Sequence, residues 1–264
     1  MKSALSQGLE RRPKSGHFSS SSRLRPVRRT RNRARWLVVG CVLVVSACDS
    51  VASESLSALC DANPTDKCSH HHNYVELYET FFAPKRHEVT RLLEIGVQKG
   101  HSMRLWEDYF PTARIFGVDI VDSSQHDTGR ITTFIADQAS REQLGEFLLA
   151  HGSRFDIIID DGGHRMDQQQ ISFGVLFPHL RSGGLYVIED VHTSFPELRP
   201  GYGVDHGGAN STYSMIDRFN RKREFTSQYL SDAELEYLTT KVAHCLYSYR
   251  PNEFHSDFFL CYKL

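Results

Sequence analysis

Several features are scarce in this 264-residue chain, and each scarcity removes a class of protein. The longest apolar run, Trp36–Cys48, has 13 residues, short of the ~20 that a membrane-spanning helix needs. No C-x-x-C pair occurs, which argues against a zinc ribbon. The G-x-G-x-x-G loop of dinucleotide-binding folds is also absent. Basic residues are concentrated at one end. Residues 1–48 hold eleven Lys or Arg and one acid, Glu10. Of 31 basic and 32 acidic residues overall, that leaves 20 against 31 beyond residue 48, a formal charge of −11. Phosphate binding needs clustered Lys and Arg, so this acidic body is not expected to take nucleic acid as a partner.

The sequence predicts four segments. Residues 1–35 form a basic, Ser-rich arm with no means to fold alone. Residues 36–48 read as the apolar core of a signal peptide or short anchor, and "VSAC" with Cys48 resembles a bacterial lipobox. Residues 49–63 read as linker and 64–264 as the folded domain.

Within the domain, short apolar runs alternate with amphipathic stretches. "RLLEIGV" (91–97), "ARIFGVDI" (113–120), "RITTFIAD" (130–137), "FDIIIDD" (155–161) and "LYVIED" (185–190) read as strands. Helical spacing appears in 101–110, in 140–152 with Ser140 as N-cap, and in 166–180. Near-continuous apolar strands alternating with helices predict a Rossmann-like α/β fold, a parallel five-strand sheet covered on both faces. "KVAHCLYSYR" (241–250) and "DFFLCYKL" (257–264) predict a C-terminal antiparallel hairpin. A turn centred on Glu253 pairs residues equidistant from it, and Cys245 and Cys261 each lie eight residues away. The two would face each other, within reach of a disulfide.

In an open α/β sheet the ligand sits beyond the carboxyl ends of the strands. The candidate residues all fall there. "LLEIGVQKG" places Glu94, Gly96 and Gly100 on the first strand-to-helix turn, where glycine lets the backbone approach a ligand. Asp119 ends the second strand and could accept ribose hydroxyls; Asp137 ends the third and could read an adenine amino group. An acid or glycine at three successive tips points to S-adenosylmethionine.

The next two tips are richer in acid. "DDGGH" supplies Asp160, Asp161 and His164, and "VIEDVH" supplies Glu189, Asp190 and His192. Four carboxylates at adjacent tips would repel one another if dry and unpaired. Capping of helix starts is the plainer use for them. A hard cation such as Mg²⁺, with three carboxylates and two substrate hydroxyls as oxygen ligands, is the alternative. Asp160 would then be free to face the amino end of the cofactor. His164 could take a proton from a metal-activated sugar hydroxyl, whereas His192 reads as a supporting or surface residue.

"TDKCSHHHNYVELYETFFAP", "LLEIGVQKG", "FDIIIDDGGH" and "LFPHLRSGGLYVIEDVHTS" together resemble the metal-dependent sugar O-methyltransferases of macrolide biosynthesis, which have the class I methyltransferase fold. The resemblance covers residues 64–195. It implies Asp161, Glu189 and Asp190 as Mg²⁺ ligands and His164 as the base. It also implies cofactor contacts from Thr65, Asp66 and Lys67, in a segment that closes over the cofactor, and from Glu94, Gly96, Asp119 and Asp137. Cys68 stands where the family has glycine. The expected reaction is methyl transfer from S-adenosyl-L-methionine to a hydroxyl of a sugar or polyol, on a glycan or glycosylated metabolite. A cephalosporin-hydroxylase-like enzyme of the same fold, or a tethered domain without catalysis, are the alternatives. The leader and the four downstream cysteines predict a domain anchored to or exported across a membrane. A secretory lumen supplied with imported cofactor would reconcile this with cytosolic synthesis of S-adenosylmethionine; a cytosolic enzyme is the alternative.

Overall fold

The computed structural model describes residues 54–264. The basic arm and the apolar run lie outside the described residues. Among the described residues no helix is long and apolar enough to cross a membrane.

Seven strands form one sheet: β1 (Arg91–Ile95), β2 (Arg114–Asp119), β3 (Ile131–Ile135), β4 (Phe155–Asp160), β5 (Leu180–Glu189), β6 (Val242–Arg250) and β7 (Ser256–Lys263). Their order is β3-β2-β1-β4-β5-β7-β6. The first five are parallel, and β7 runs antiparallel between β5 and β6. The alternation of side chains divides the interior into two cores. Leu93, Ile95, Phe116 and Ile158 face α4 (Arg141–His151), α5 (Met166–Leu176), α6 (Thr212–Lys222) and α7 (Asp232–Lys241). Leu92, Ile115, Ile157 and Ile159 face α1 (Leu56–Leu59), α2 (Tyr74–Phe82) and α3 (His101–Tyr109). Both faces of the central strands are dry, as unbroken apolar runs require.

Local chemistry sets the boundaries. Ser140 caps α4 by accepting from Gln143 N at 3.3 Å. The predicted helix over 166–180 stops at Leu176. Pro178 has no N–H for an intrahelical bond, and the chain tightens into a single 3₁₀ turn over Phe177–His179. β5 begins at Leu180, earlier than the apolar run indicates, with a register shift opposite Phe155–Ile157 that absorbs the two glycines. Residues 54–63, expected to be linker, are part of the folded unit. Leu56 and Leu59 are buried, and Leu56 N donates to Glu79 Oε2 at 2.7 Å.

The hairpin has the expected register. Cys245 pairs with Cys261, and Arg250 with Ser256. Disulfides join Cys245 to Cys261 and Cys60 to Cys68. Peptide mapping of the oxidised protein, alkylated without reductant, is expected to recover these two cross-linked pairs. A crossed pairing, such as Cys60 with Cys245, would contradict the hairpin register.

Candidate functional site

The strand order reverses between β1 and β4, so the loops after these two strands part and leave a crevice. Two hollows of about 190 Å³ each occupy it, and they share Gly96, Gln98 and Asp161. Asp119, Asp137, Gln138 and Gln168 border one; Pro64, Thr65, Asp66 and Ser102 border the other. Gly96 makes this crossing feasible. Its φ is +91°, and a Cβ there would lie 2.0 Å from the carbonyl oxygen of Asp161. Asp119 accepts from Val97 N at 2.8 Å and Gln98 N at 3.0 Å, which fixes the first loop to the tip of β2. Asp137 accepts from Ala139 N at 2.9 Å.

Thr65, Asp66, Gly96, Asp119 and Asp137 therefore border the crevice, while Lys67, Glu94, Gly100 and Asp160 do not. Gly100 shapes the start of α3, at φ +71° against the ring of His126. Glu94 is fully buried and accepts from Ser102 Oγ at 2.8 Å and Trp106 Nε1 at 3.0 Å. Asp160 is not free to face a cofactor. Its side chain turns toward α5, fully buried, and accepts from Ser172 Oγ and from Gln138 Nε2 at 2.9 Å. Burial pushes its carboxyl up to about 6, against the opposing bonds from Ser172 and Gln138.

At the tips of β4 and β5 the charged groups form two tiers. The lower tier is dry: the side chains of Lys67, Glu94 and Glu189 are 1%, 0% and 2% exposed. The Lys67 ammonium pairs with Asp161, with Glu189 at 3.0 Å and with Glu94 at 3.4 Å. Burial disfavours the charged amine, but these carboxylates outweigh it and hold Lys67 well above the usual lysine range. Tyr78 donates to the other oxygen of Glu189 at 2.7 Å. Burial pushes Glu189 up to about 8, with Lys67 acting against the rise.

The upper tier reaches solvent. Asp161, His164 and Asp190 side chains are 14%, 17% and 16% exposed. One ligand atom from each lies within 4.8 Å of the others. His164 Nε2 is 3.5 Å from Asp190 Oδ2 and 3.9 Å from Asp161 Oδ1. Burial, then Glu189, pushes Asp161 well above the carboxylate range. Burial would raise Asp190 as well, but His164, His72 and the Tyr74 hydroxyl hold it below its usual value. Burial also lowers His164, which favours the neutral imidazole. His164 and Asp190 both have left-handed backbones, φ +57° and +53°, a cost of about 1–3 kcal/mol each that the surrounding packing sustains. Tyr74 donates to Asp190 at 2.7 Å. His192 is buried, with Nδ1 3.2 Å from Asp257 Oδ1.

The sequence reading did not find Tyr74 and Tyr78, which hold one acid each. The available signal is their i, i+4 spacing in "YVELY", which puts two phenols on one helix face starting seven residues after Lys67. Nor did it find that Lys67 turns toward the acids.

The donor set suits a hard dication. Two carboxylates and an imidazole converge at the mouth of a crevice, with a third carboxylate beneath them. Among the described residues, Lys67 is the lysine that faces Glu94, Asp161, Glu189 and Asp66 together.

No family model matches the chain. Among curated proteins, demethylmacrocin O-methyltransferase of Streptomyces fradiae is 39% identical over 180 residues, covering 66% of this chain and 44% of that protein. Mycinamicin VI 2''-O-methyltransferase of Micromonospora griseorubida is 39% identical over 171 residues, 62% and 42% of the two chains. A tetracenomycin rhamnosyl 3'-O-methyltransferase of Streptomyces olivaceus is 41% identical over 155 residues, 56% and 39%. Among solved structures, the methyltransferase of the mycinamycin pathway, in complex with Mg, SAH and mycinamycin VI, superposes with a TM-score of 0.66 at 30% identity, over 80% of this chain and 55% of that one. The chain thus spans less than half the length of the curated relatives it matches. The resemblance to sugar O-methyltransferases drawn from the sequence holds, and the fold is that of the class I methyltransferases, with a mixed, mostly parallel seven-stranded sheet.

Replacing Lys67 with Met would strand three carboxylates in the interior. The expected loss of stability is about 3–5 kcal/mol in urea denaturation at pH 7; a loss below about 1 kcal/mol would contradict the pairing. Asp160 generates a pH dependence. Its folded value, about 6, exceeds the unfolded one near 3.8. The folded state therefore binds the extra proton, and stability falls as pH rises through that window. Asp160→Asn removes the effect. The variant should gain on the wild type by about 3 kcal/mol between pH 3 and pH 7, with a constant difference above. A pH-independent difference across that range would show that Asp160 does not titrate there.

Proposed function

We propose that this chain is an S-adenosylmethionine- and Mg²⁺-dependent O-methyltransferase acting on a hydroxyl of a sugar in a glycosylated small molecule or glycan. The observation that carries this reading is the double position of Asp161, which borders both hollows of the crevice and is also a member of the carboxylate–imidazole group. A cofactor in the crevice and a hydroxyl on the acid group would therefore be neighbours.

Asp119 and Asp137, at the tips of β2 and β3, would meet the nucleoside of the cofactor, and Thr65 and Asp66 would border its other end. Asp161 and Asp190 would hold the Mg²⁺, with Glu189 completing an oxygen set by giving up its Lys67 or Tyr78 bond, since Mg²⁺ prefers oxygen to imidazole nitrogen. Bound there, the metal supplies Lewis acidity that makes a sugar hydroxyl easier to deprotonate. His164, kept neutral by burial, would accept that proton. Placing the hydroxyl oxygen and the sulfonium methyl in line supplies much of the remaining rate. The relatives' names include rhamnosyl and mycinamicin acceptors, which supports a glycoside. The part of those proteins that this chain does not match leaves the aglycone open to difference.

The two disulfides, the basic arm and the apolar run support a location in an oxidising compartment, tethered or exported through the N-terminal segment.

The test is transfer of radiolabelled methyl from S-adenosylmethionine to a panel of glycosylated polyketides and free deoxysugars. EDTA should abolish transfer and Mg²⁺ should restore it. His164→Ala should reduce the rate by about 10²–10⁴-fold while calorimetry shows unchanged cofactor binding. Undiminished transfer in EDTA removes the metal from the reading, and a loss under about tenfold removes His164 as the base.

A further inference from the structure

Lys67 reaches the carboxylates from a segment with little regular structure. Between α1 and α2 the chain forms turns, yet Lys67 must bridge acids 94 and 122 residues away. Hydrogen bonds hold this segment, mostly within itself; of those that leave it, His101 Nδ1 lies 2.9 Å from Pro64 O and His72 Nδ1 2.9 Å from Ser256 Oγ. Cys68 N donates to Thr65 O at 3.1 Å, His72 N to Asp66 O at 2.9 Å and Val75 N to Lys67 O at 3.1 Å. On the other side Asn63 reaches Asp108 Oδ2 at 2.8 Å. α1 has four residues, too few to be stable alone. The one covalent tie is the disulfide from Cys60, at the end of α1, to Cys68, the residue next to Lys67. Both cysteines are buried, at 9% and 1% exposure.

We propose that the Cys60–Cys68 disulfide is a positioning element of the site. It closes the loop that carries Thr65, Asp66 and Lys67, so that Lys67 stays seated among Glu94, Asp161 and Glu189 while Thr65 and Asp66 border the crevice. The other disulfide has no such task. Cys245 and Cys261 face each other within a ladder whose hydrogen bonds already fix the register. The consequence is redox dependence of the site. A dithiol that cleaves the Cys60–Cys68 bond delivers two electrons and two protons, leaving two cysteine thiols and closing to its own disulfide. The segment is then held by its hydrogen bonds and the ion pairs, without covalent closure of its loop. The inference rests on the proposed function only for the choice of S-adenosylmethionine as a probe.

The experiment compares the oxidised full chain, the same chain reduced with dithiothreitol, and the double variants Cys60→Ser/Cys68→Ser and Cys245→Ser/Cys261→Ser. Hydrogen exchange followed by mass spectrometry reads the segment directly. Peptides over 64–75 should lose protection on reduction and in the first variant, while those of β4 and β5 keep theirs. If the segment then docks a tenth of the time, affinity for S-adenosylmethionine by calorimetry falls about tenfold. The second variant should match the oxidised wild type in both readouts. Unchanged protection over 64–75 overturns the proposal. So does a loss of protection spread evenly over the chain, which would make the bond a general stabiliser. A wild type that binds no S-adenosylmethionine would defeat the proposed function, and the exchange data would still decide this inference.

Discussion

The site depends on one ammonium. Lys67 lies in a dry pocket among Glu94, Asp161 and Glu189, and without it three carboxylates would face one another at low dielectric. The charge is fixed in place by chemistry on every side. Ser102 and Trp106 hold Glu94, and Tyr78 holds Glu189. These partners orient the buried acids beneath the crevice, so the lower tier is a foundation and the upper tier is where a ligand can arrive. The two tiers also differ in chemistry. The lower one is paired within the chain through Lys67, whereas Asp161, His164 and Asp190 open toward solvent.

Sheet topology explains why these acids meet. β1, β4 and β5 are neighbours in space although 59 residues of chain, with two other strands among them, separate β1 from β4. Each strand ends at the same edge of the sheet, so Glu94, Asp161 and Glu189 converge by register alone. Ile95 pairs with Asp160, and Asp160 with Ile188. The reversal of strand order at β1 and β4 opens the crevice at the same edge, and Gly96 lets the two loops pass without a clash.

Much of this was legible because the signals were local. Apolar runs ended by Gly or Asp gave the five parallel strands, and a symmetric turn about Glu253 gave the partner of Cys245. The misses came from contacts without a local signal. Asp160 and Asp161 are adjacent and chemically alike, but successive side chains point to opposite sides of a strand. One is sealed against Ser172 and Gln138 and the other borders the crevice. A shift of one residue at the strand end would exchange them. Lys67 gave no hint of its partners, because its three ion pairs span the whole fold. The linker reading missed residues 54–63 for a related reason. Leu56 and Leu59 are too few to show a period, yet they fill a place in the core.

The central claim is that the upper tier is an incomplete cation site. Manganese(II), a paramagnetic substitute for Mg²⁺, reports on it directly through the loss of its free electron-spin-resonance signal on titration into the full chain. The account predicts one bound ion per chain, displaced by Mg²⁺, abolished by Asp190→Asn and retained in Asp119→Asn, whose carboxylate lies at a different strand tip. An unaltered free-ion signal at every protein concentration, or binding that survives Asp190→Asn, would contradict it.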